Sequence, residues 1–367
     1  MKITVARRDL HPALSAAARI VEARNTIPIL ANVLVRAERG EAGGRLLLTA
    51  FDLDLEIRLA VPAEVAEEGA TTLHAARLHA IVGKLMDGDI EIETLADNAT
   101  ARLKQGRSRF DLQVLPVEDF SAFSPADYPI GFDLAADLVA EAIEATSFAI
   151  STEETRYYLN GVYLHAIAGP LGATLVAVST DGHRLSKWSR PAPVGGELLA
   201  GRGVIVPRKT VGEIVKLCKG NANPARIEVS EERLRLTIGD AVLTSKLIDG
   251  TYPDYGRVVP AESAHTITLD RAALAASLDR IQAVLTKRGS AVKFAFRDGC
   301  LTLTAVDPDG AGSAAEEMAY DGEAAVEIGF NAKYAGDVLA ALPGDRVEVG
   351  LTDPGSPAVF RPANPAA

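Results

Sequence analysis

Apolar residues recur along the chain at spacings that repeat three times. Counting from Val5, apolar side chains stand at offsets of 5, 9 and 16, as Leu10, Leu14 and Val21. From Leu134 the same offsets give Val139, Ile143 and Ile150, and from Leu269 they give Leu274, Leu278 and Leu285. Ile3, Phe132 and Ile267 each stand two positions before an origin, and the origins are 129 and 135 residues apart. Alternation up to each origin predicts a short strand. The near-3.6 spacing beyond it predicts an amphipathic helix with one face on a core. Three such matches at near-equal separation mark an internal repeat.

A second strand-to-helix element lies inside each unit. Leu73, Ile205 and Phe330 are followed at offsets of 9 and 12 by Val82 and Leu85, Ile214 and Leu217, and Leu339 and Leu342. Six helices are therefore predicted, over 7–24, 74–86, 136–150, 207–220, 270–288 and 331–342. The runs RLLLTAFDLDLEIRLAV, TARLKQGRSRFDLQVL, ATLVAVST, ARIEVSEERLRLTI and CLTLTAV read as strands bounded by turn residues. The fold class is α+β, with two helices and an antiparallel sheet system per third. Loop-like stretches at Ser121–Pro129 and Pro260–His265 place the divisions at 1–123, 124–262 and 263–367.

Charge alters this picture only when it is placed on the elements. The chain carries 38 basic and 49 acidic side chains, a net of −11, which on its own speaks against nucleic acid. Yet the six predicted helices together carry +6 and the rest of the chain −17. A basic helical surface on an acidic body suits phosphate backbones, which bind without sequence being read. The ordinary alternative is a set of solvated helix faces. Segment 136–150 departs from the pattern, with Asp137, Glu141 and Glu144 and no cation.

Composition excludes several classes. A 48% hydrophobic fraction excludes a disordered chain, and 5% aromatic residues exclude an aromatic-lined stacking protein. The first residues lack the apolar segment of a secretory signal, and no run is long and apolar enough to span a membrane. Two cysteines, Cys218 and Cys300, make no disulfide framework and read as buried small side chains. No GxxxxGK[ST], GxGxxG or HExxH motif occurs, and no metal or cofactor is expected. Asp52, Asp54 and Glu56 alternate and read as a solvated strand face rather than as metal ligands. Asp181 and His183, in the segment TDGHR, could form an acid–base pair, but no nucleophile motif accompanies them, so a hydrolase is disfavoured.

Longer motifs carry a family resemblance. NTIPILANVLV (25–35), GRSRFDLQVLP (106–116), RYYLNGVYL (156–164), VSTDGHRLS (178–186), VIVPRKT (204–210), SKLIDGTYPDY (245–255) and FNAKYAGDVLAAL (330–342) stand in the order and spacing of the bacterial DNA polymerase III beta subunit family. The chain resembles that family from residue 1 to about 353. The resemblance implies a head-to-tail homodimer of three-domain protomers, closed as a ring, with sheets outside and helices inside around duplex DNA. Such a clamp is a non-catalytic, cytoplasmic processivity factor that contacts double-stranded DNA independently of sequence. Matched positions imply DNA contacts at Arg24, Arg77, Arg156, Tyr158, Arg208 and Lys209.

The resemblance also implies a peptide-docking groove between the second and third domains. It would serve the DNA polymerase III alpha subunit, the clamp loader, and other polymerases and repair proteins. Its matched residues are Leu159, Thr180, Gly182, His183, Arg184, Leu185, Pro253, Arg257 and Val258. The ring interface is expected to set Arg107, Arg109, Phe110 and Leu112 of one protomer against Val284, Leu285, Glu316 and Glu317 of the other. Two departures stand out. The chain closes LTDPGSPAVFRPANPAA where the family carries a last strand and a Met-Pro-Met-Arg-like tail. The third domain is therefore expected to lack its last strand, with Arg361–Ala367 mobile. Segment 132–155, without Lys or Arg, is expected to weaken or tilt DNA contact. The alternative function is a clamp-fold accessory or decoy protein with an impaired groove.

Overall fold

The computed structural model describes the chain except for residues 23–25, 41–42, 96–98, 287–289 and 364–367. It divides into two compact units. One comprises Met1–Ile143, Glu154–Ala177 and Ser189–Gly250; the other comprises Glu144–Glu153, Val178–Trp188 and Thr251–Ala367.

All six predicted helices form, each shorter than its apolar pattern. They are α1 (Arg7–Ile20), α2 (Ala75–Lys84), α3 (Ala136–Ser147), α4 (Arg208–Cys218), α5 (Arg271–Gln282) and α6 (Ala332–Ala341). Five enter directly from a strand whose last residue is the helix cap, so chain direction changes within one residue. Asp270 and Asn331 accept hydrogen bonds from Ala273 N at 2.7 Å and Tyr334 N at 3.2 Å, satisfying amide groups the first turn leaves unpaired. The periodic positions inside the helices are core. Leu10, Leu14, Leu274, Leu278, Val82 and Leu339 are all at most 1% exposed. Val21, Leu85, Leu217, Leu285 and Leu342 carry the pattern past or up to the helix ends and are only half-buried. That is why the pattern overshoots.

The strand-like runs fold mostly as hairpins. Residues 45–61, read as one run, hold two paired strands, Gly43–Phe51 and Leu55–Pro62, joined by a turn with Leu53 at φ 81°. Residues 100–115 fold as Thr100–Gln105 and Ser108–Gln113 across Gly106 at φ 56°, a left-handed conformation glycine adopts at little cost.

Each third of the chain builds two antiparallel sheets or half-sheets. In the first, Glu64–Glu67, Lys2–Ala6, Asp89–Thr94, Thr100–Gln105 and Ser108–Gln113 lie side by side in that order. Its other four strands end in Leu55–Pro62, which pairs with Ala241–Lys246 of the second third, from Leu59 opposite Ala241 to Leu55 opposite Ser245. One eight-stranded sheet thereby runs through both thirds. The second third adds a sheet ordered Leu185–Pro191, Thr174–Thr180, Gly161–Ile167, Val204–Pro207.

The last third has a four-stranded sheet (Ser313–Ala319, Cys300–Val306, Ala291–Arg297, Val326–Asn331) and a three-stranded one (His265–Asp270, Arg346–Leu351, Val359–Pro362). The expectation of a loose tail from Arg361 is corrected at its start, while residues 364–367 lie outside the described residues. Val359–Pro362 is a strand whose Phe360 faces Val349, and Arg361 Nε donates to Glu348 Oε1 at 2.6 Å. Backbone pairing overrides the proline-rich composition because Pro362 lies on an edge strand, where a missing N–H is tolerated. In the second third the equivalent strands number four, ordered Ile130–Ala135, Pro224–Val229, Arg233–Ile238, Ala241–Lys246. The three-stranded sheet is thus one strand shorter among the described residues.

The core of the last third gathers Ile267, Leu274, Leu278, Phe294, Phe296, Leu303 and Leu339. Leu274→Ala is expected to cost about 2–5 kcal/mol in a denaturant titration, through reduced burial and a residual cavity. A shift below ~1 kcal/mol would mean this position is not core.

Candidate functional site

The cations of α1, α2 and α4 fall into two groups. Arg77 on α2 and Arg208 at the first turn of α4 are exposed, and neither guanidinium is bonded among the described residues. Lys209 and Arg19, by contrast, are tied within the chain. Lys209 Nζ donates to Ile20 O at 2.8 Å and forms an ion pair with the Asp52 carboxylate. Arg19 Nε lies 2.8 Å from Glu213 Oε2, and Lys216 Nζ lies 2.7 Å from Glu213 Oε1. Glu213 is 5% exposed, so its charge is sustained by two cations at once. These contacts link the first third to the second beside the shared sheet.

Asp52 explains the local geometry. Its carboxylate accepts from Leu55 N at 2.6 Å and Asp54 N at 3.0 Å, closing the hairpin turn that presents it to Lys209. The reading of Asp52, Asp54 and Glu56 as a solvated strand face is therefore corrected. Asp52 and Asp54 sit in the turn, and Glu56 is 2% exposed, with Phe123 N and Arg58 on its carboxylate. Acidic groups here are internal fasteners, which alternation alone does not reveal.

The remaining contact residues expected from the sequence are distributed as follows. Arg24 lies outside the described residues. Arg156 sits half-buried at a kink with φ −114° and ψ 49°. Tyr158 is half-buried, whereas its neighbour Tyr157, not singled out from the sequence, is exposed and lies edge-on to it at 5.8 Å. His11 and His79 stack across α1 and α2 with ring centroids 5.0 Å apart. Burial, then the charges of His11 and Arg19, hold His79 below the usual histidine range, so it adds no charge to this face at neutral pH. On the acidic α3, Asp137 accepts from Gly220 N at 3.1 Å and Glu141 pairs with Arg190 at 2.9 Å. Two of its carboxylates are thus already engaged.

The TDGHR segment is a tight turn between two strands. Thr180 Oγ1 donates to Arg184 O at 2.7 Å and accepts from Gly182 N at 3.1 Å. Asp181 Oδ1 accepts from His183 N at 2.9 Å and Arg184 N at 3.0 Å. Gly182 has φ 88°, which a side chain would strain. The Asp181 carboxylate is thus engaged in holding the turn and the Arg184 side chain. His183 is exposed, with its ring 6.3 Å from Tyr334 on α6. Tyr334 was not singled out from the sequence; its place on a helix in another third of the chain hides the proximity. Leu185 is half-buried, while Pro253, Arg257 and Val258 are exposed and Val258 is 59% so. Arg257 pairs with Asp254 at 2.9 Å. Leu159 is 4% exposed and belongs to a core rather than to an open surface.

The expected interface residues lie on two sheet edges. Arg109, Phe110 and Leu112 belong to Ser108–Gln113, the outer strand of the five-stranded sheet, and Arg107 immediately precedes it. Glu316 and Glu317 belong to Ser313–Ala319, the outer strand of a four-stranded sheet. Arg109 pairs with Asp111 and Glu316 with Arg280, each at 2.7 Å. Arg107 and Glu317 are exposed, and Val284 and Leu285 are half-buried against the core of the last third.

No cluster of three or more metal-ligating side chains occurs among the described residues. Cys218 is buried, and burial, aided by Asp137, pushes its thiol up to about 11. Cys300 is only partly buried, contrary to expectation, because it stands at the turn end of a hairpin next to Gly299.

Comparison with known proteins covers the whole chain. Residues 1–124 match the N-terminal domain, 133–254 the central domain and 256–366 the C-terminal domain of the DNA polymerase III beta subunit. The beta sliding clamp of Caulobacter vibrioides (strain NA1000 / CB15N) is 42% identical over 369 residues, spanning 100% of this chain and 97% of the relative. That of Escherichia coli K12 is 35% identical over 358 residues, spanning 96% and 93%. Among solved structures, a sliding clamp from Bartonella birtlesii bound to griselimycin superposes with a TM-score of 0.94 at 39% identity, covering 100% of this chain and 96% of that one. The DNA polymerase III subunit beta of Pseudomonas aeruginosa gives 0.90 at 32% identity, covering 100% and 97%.

The turn carboxylate gives a direct expectation. Asp52→Ala strips Lys209 of its counter-charge and leaves two amide groups without their acceptor, at a cost of about 1–3 kcal/mol. Denaturant midpoints measure it, and an unchanged midpoint would remove Asp52 as a fastener.

Proposed function

The chain belongs to the DNA polymerase III beta subunit family and is a DNA sliding clamp; from that premise we propose that two copies close head to tail around duplex DNA. The ring would act without catalysis, tethering the polymerase and its accessory proteins to the template. Domain boundaries are proposed near residues 123 and 262, the first at the end of the span matched over 1–124 and the second just inside the span that begins at 256.

The observation that carries the ring is the pair of open sheet edges. Ser108–Gln113 and Ser313–Ala319 both end their sheets, and an exposed edge is a template for another strand. The chain already uses this kind of joint internally, where Leu55–Pro62 pairs with Ala241–Lys246. Arg107 and Arg109 beside one edge complement Glu316 and Glu317 on the other, while Phe110, Leu112, Val284 and Leu285 supply the apolar contact. Exposed ion pairs contribute little each, so they set register and the apolar groups supply affinity.

DNA contact rests on α1, α2 and α4. Arg77 and Arg208 are free to meet phosphate, with Arg24, Arg156, Tyr158 and Lys209 at positions the family resemblance implies. Contact with phosphates alone lets the ring slide. Short peptides from the polymerase III alpha subunit, the clamp loader, and other polymerases and repair proteins would dock by apolar anchors at the 180–185 turn. Pro253, Arg257 and Val258, all exposed, complete the proposed docking set, whereas Leu159 is buried. The setting is the cytoplasm, where replication proceeds; no helix among the described residues is long and apolar enough to cross a membrane.

Three measurements test this. A clamp loaded on nicked circular DNA should persist and then dissociate when the circle is linearised; equal, rapid dissociation from both forms would remove the ring. Val284→Glu buries an unpaired charge, and light scattering should show a monomer; Arg107→Glu tests the same joint from an exposed position. Arg77→Ala and Arg208→Ala should each lower the slope of log affinity against log salt by about 1 for each phosphate no longer neutralised. An unchanged slope in both would move the DNA to another face.

A further inference from the structure

We propose that Arg184 is a positioning residue: its guanidinium fastens the Thr180–Arg184 turn to α6, and so fixes where His183 and Tyr334 stand for an incoming peptide. This rests on the docking reading above but differs from it in one respect, since Arg184 then does not grip the peptide itself.

Three of its five N–H donors are already committed. Arg184 Nε donates to Asp181 Oδ2 at 3.1 Å, Nη1 to Asp337 Oδ2 at 2.6 Å and Nη2 to Phe148 O at 2.6 Å. Its guanidinium carbon lies 4.3 Å from the Tyr334 ring centroid and 5.3 Å from that of Phe148. The side chain is 13% exposed. A planar fork held on three acceptors, stacked on aromatic faces and mostly buried is pre-organised as a strut between elements.

The acceptors are committed as well. Asp337 also takes Lys333 Nζ, one turn earlier on α6. Burial alone would raise the Asp337 carboxyl, but hydrogen bonds from Arg184 and Lys333 hold it below the usual range. Asp181 holds the amides of His183 and Arg184 with one oxygen and the Arg184 side chain with the other. The chain of contacts therefore runs from α6 through Asp337 and Arg184 to Asp181, and from there to the backbone of His183. His183 and the Tyr334 ring, at 6.3 Å, are the two groups whose separation this chain sets.

The test uses the full-length protein and a fluorescein-labelled hexapeptide with adjacent Leu and Phe anchors, alongside its counterpart with both anchors changed to Ala. Asp337→Asn keeps the shape but weakens the link. It should loosen the Leu–Phe peptide about tenfold although Asp337 is not a docking residue, as should Arg184→Ala. The double variant should be no weaker than Arg184→Ala alone, because both changes cut one chain of contacts. Arg184→Lys should not rescue, since an ammonium cannot reach three divergent acceptors at once. Lys333→Ala, which spares the link, should bind as wild type. Binding by Asp337→Asn equal to wild type, or full rescue by Arg184→Lys, would overturn the proposal and return Arg184 to direct contact. Should Arg184→Ala fail to fold, Asp337→Asn and Arg184→Lys still decide. If the wild-type protein does not distinguish the Leu–Phe peptide from its Ala counterpart, the docking reading itself fails, which is a separate outcome.

Discussion

Pairing of one backbone edge with another is the constraint on which the rest of this molecule depends. A sheet that ends in open amides and carbonyls must cover, blunt or pair them. Here the first third of the chain ends a sheet at Leu55–Pro62 and the second ends one at Ala241–Lys246, and the two satisfy each other. The joint is framed by Lys246 N donating to Asp54 O at 2.8 Å and Ala60 N donating to Asp240 O at 3.0 Å. Side chains then reinforce what the backbone has aligned. Asp52, at the turn beside this strand, meets Lys209, and Glu213 on the same helix as Lys209 meets Arg19. Helix placement follows, because α1 and α4 are tied to each other through these carboxylates.

Much of this architecture is legible in the sequence because burial imposes periodicity. Leu10, Leu14, Leu274 and Leu278 announce both a helix and its inward face, and all four are core. Repetition of the pattern identifies three copies. Helix ends are not legible in the same way. Leu285 continues the apolar pattern because it packs on the flank of a core after the helix has stopped, and Val21 stays half-buried just past its helix; periodicity cannot distinguish packing from helical continuation. The closing strand Val359–Pro362 is hidden for a related reason. Its composition is that of a loop, and only the backbone of Arg346–Leu351 alongside makes it a strand.

The site is legible in part. Basic residues on the predicted helices point to exposed cations such as Arg77 and Arg208, yet the pattern does not separate them from Lys209, whose charge is spent inside the chain. No local pattern could separate them, since the deciding carboxylate, Asp52, lies 157 residues away. Arg184 poses the same problem in reverse. Its motif suggests an exposed turn residue, whereas the fold places Asp337, Phe148 and Tyr334 around it. Long-range contacts of this kind assign a role to a charge, and sequence assigns only its presence.

The internal ion pairs of Lys209 and Arg19 bear on motion as well as on stability. Every cation that grips a phosphate must release it before the duplex can advance, so each such grip roughens the path. On the proposed DNA face, cations already paired with Asp52 and Glu213 would add less attraction and leave fewer grips to be broken at each step. In the proposed ring, friction along the duplex axis would then be set by a few exposed arginines rather than by the full count of basic residues. The carboxylates that join the first two thirds of the chain would thereby also smooth the track along which the ring diffuses.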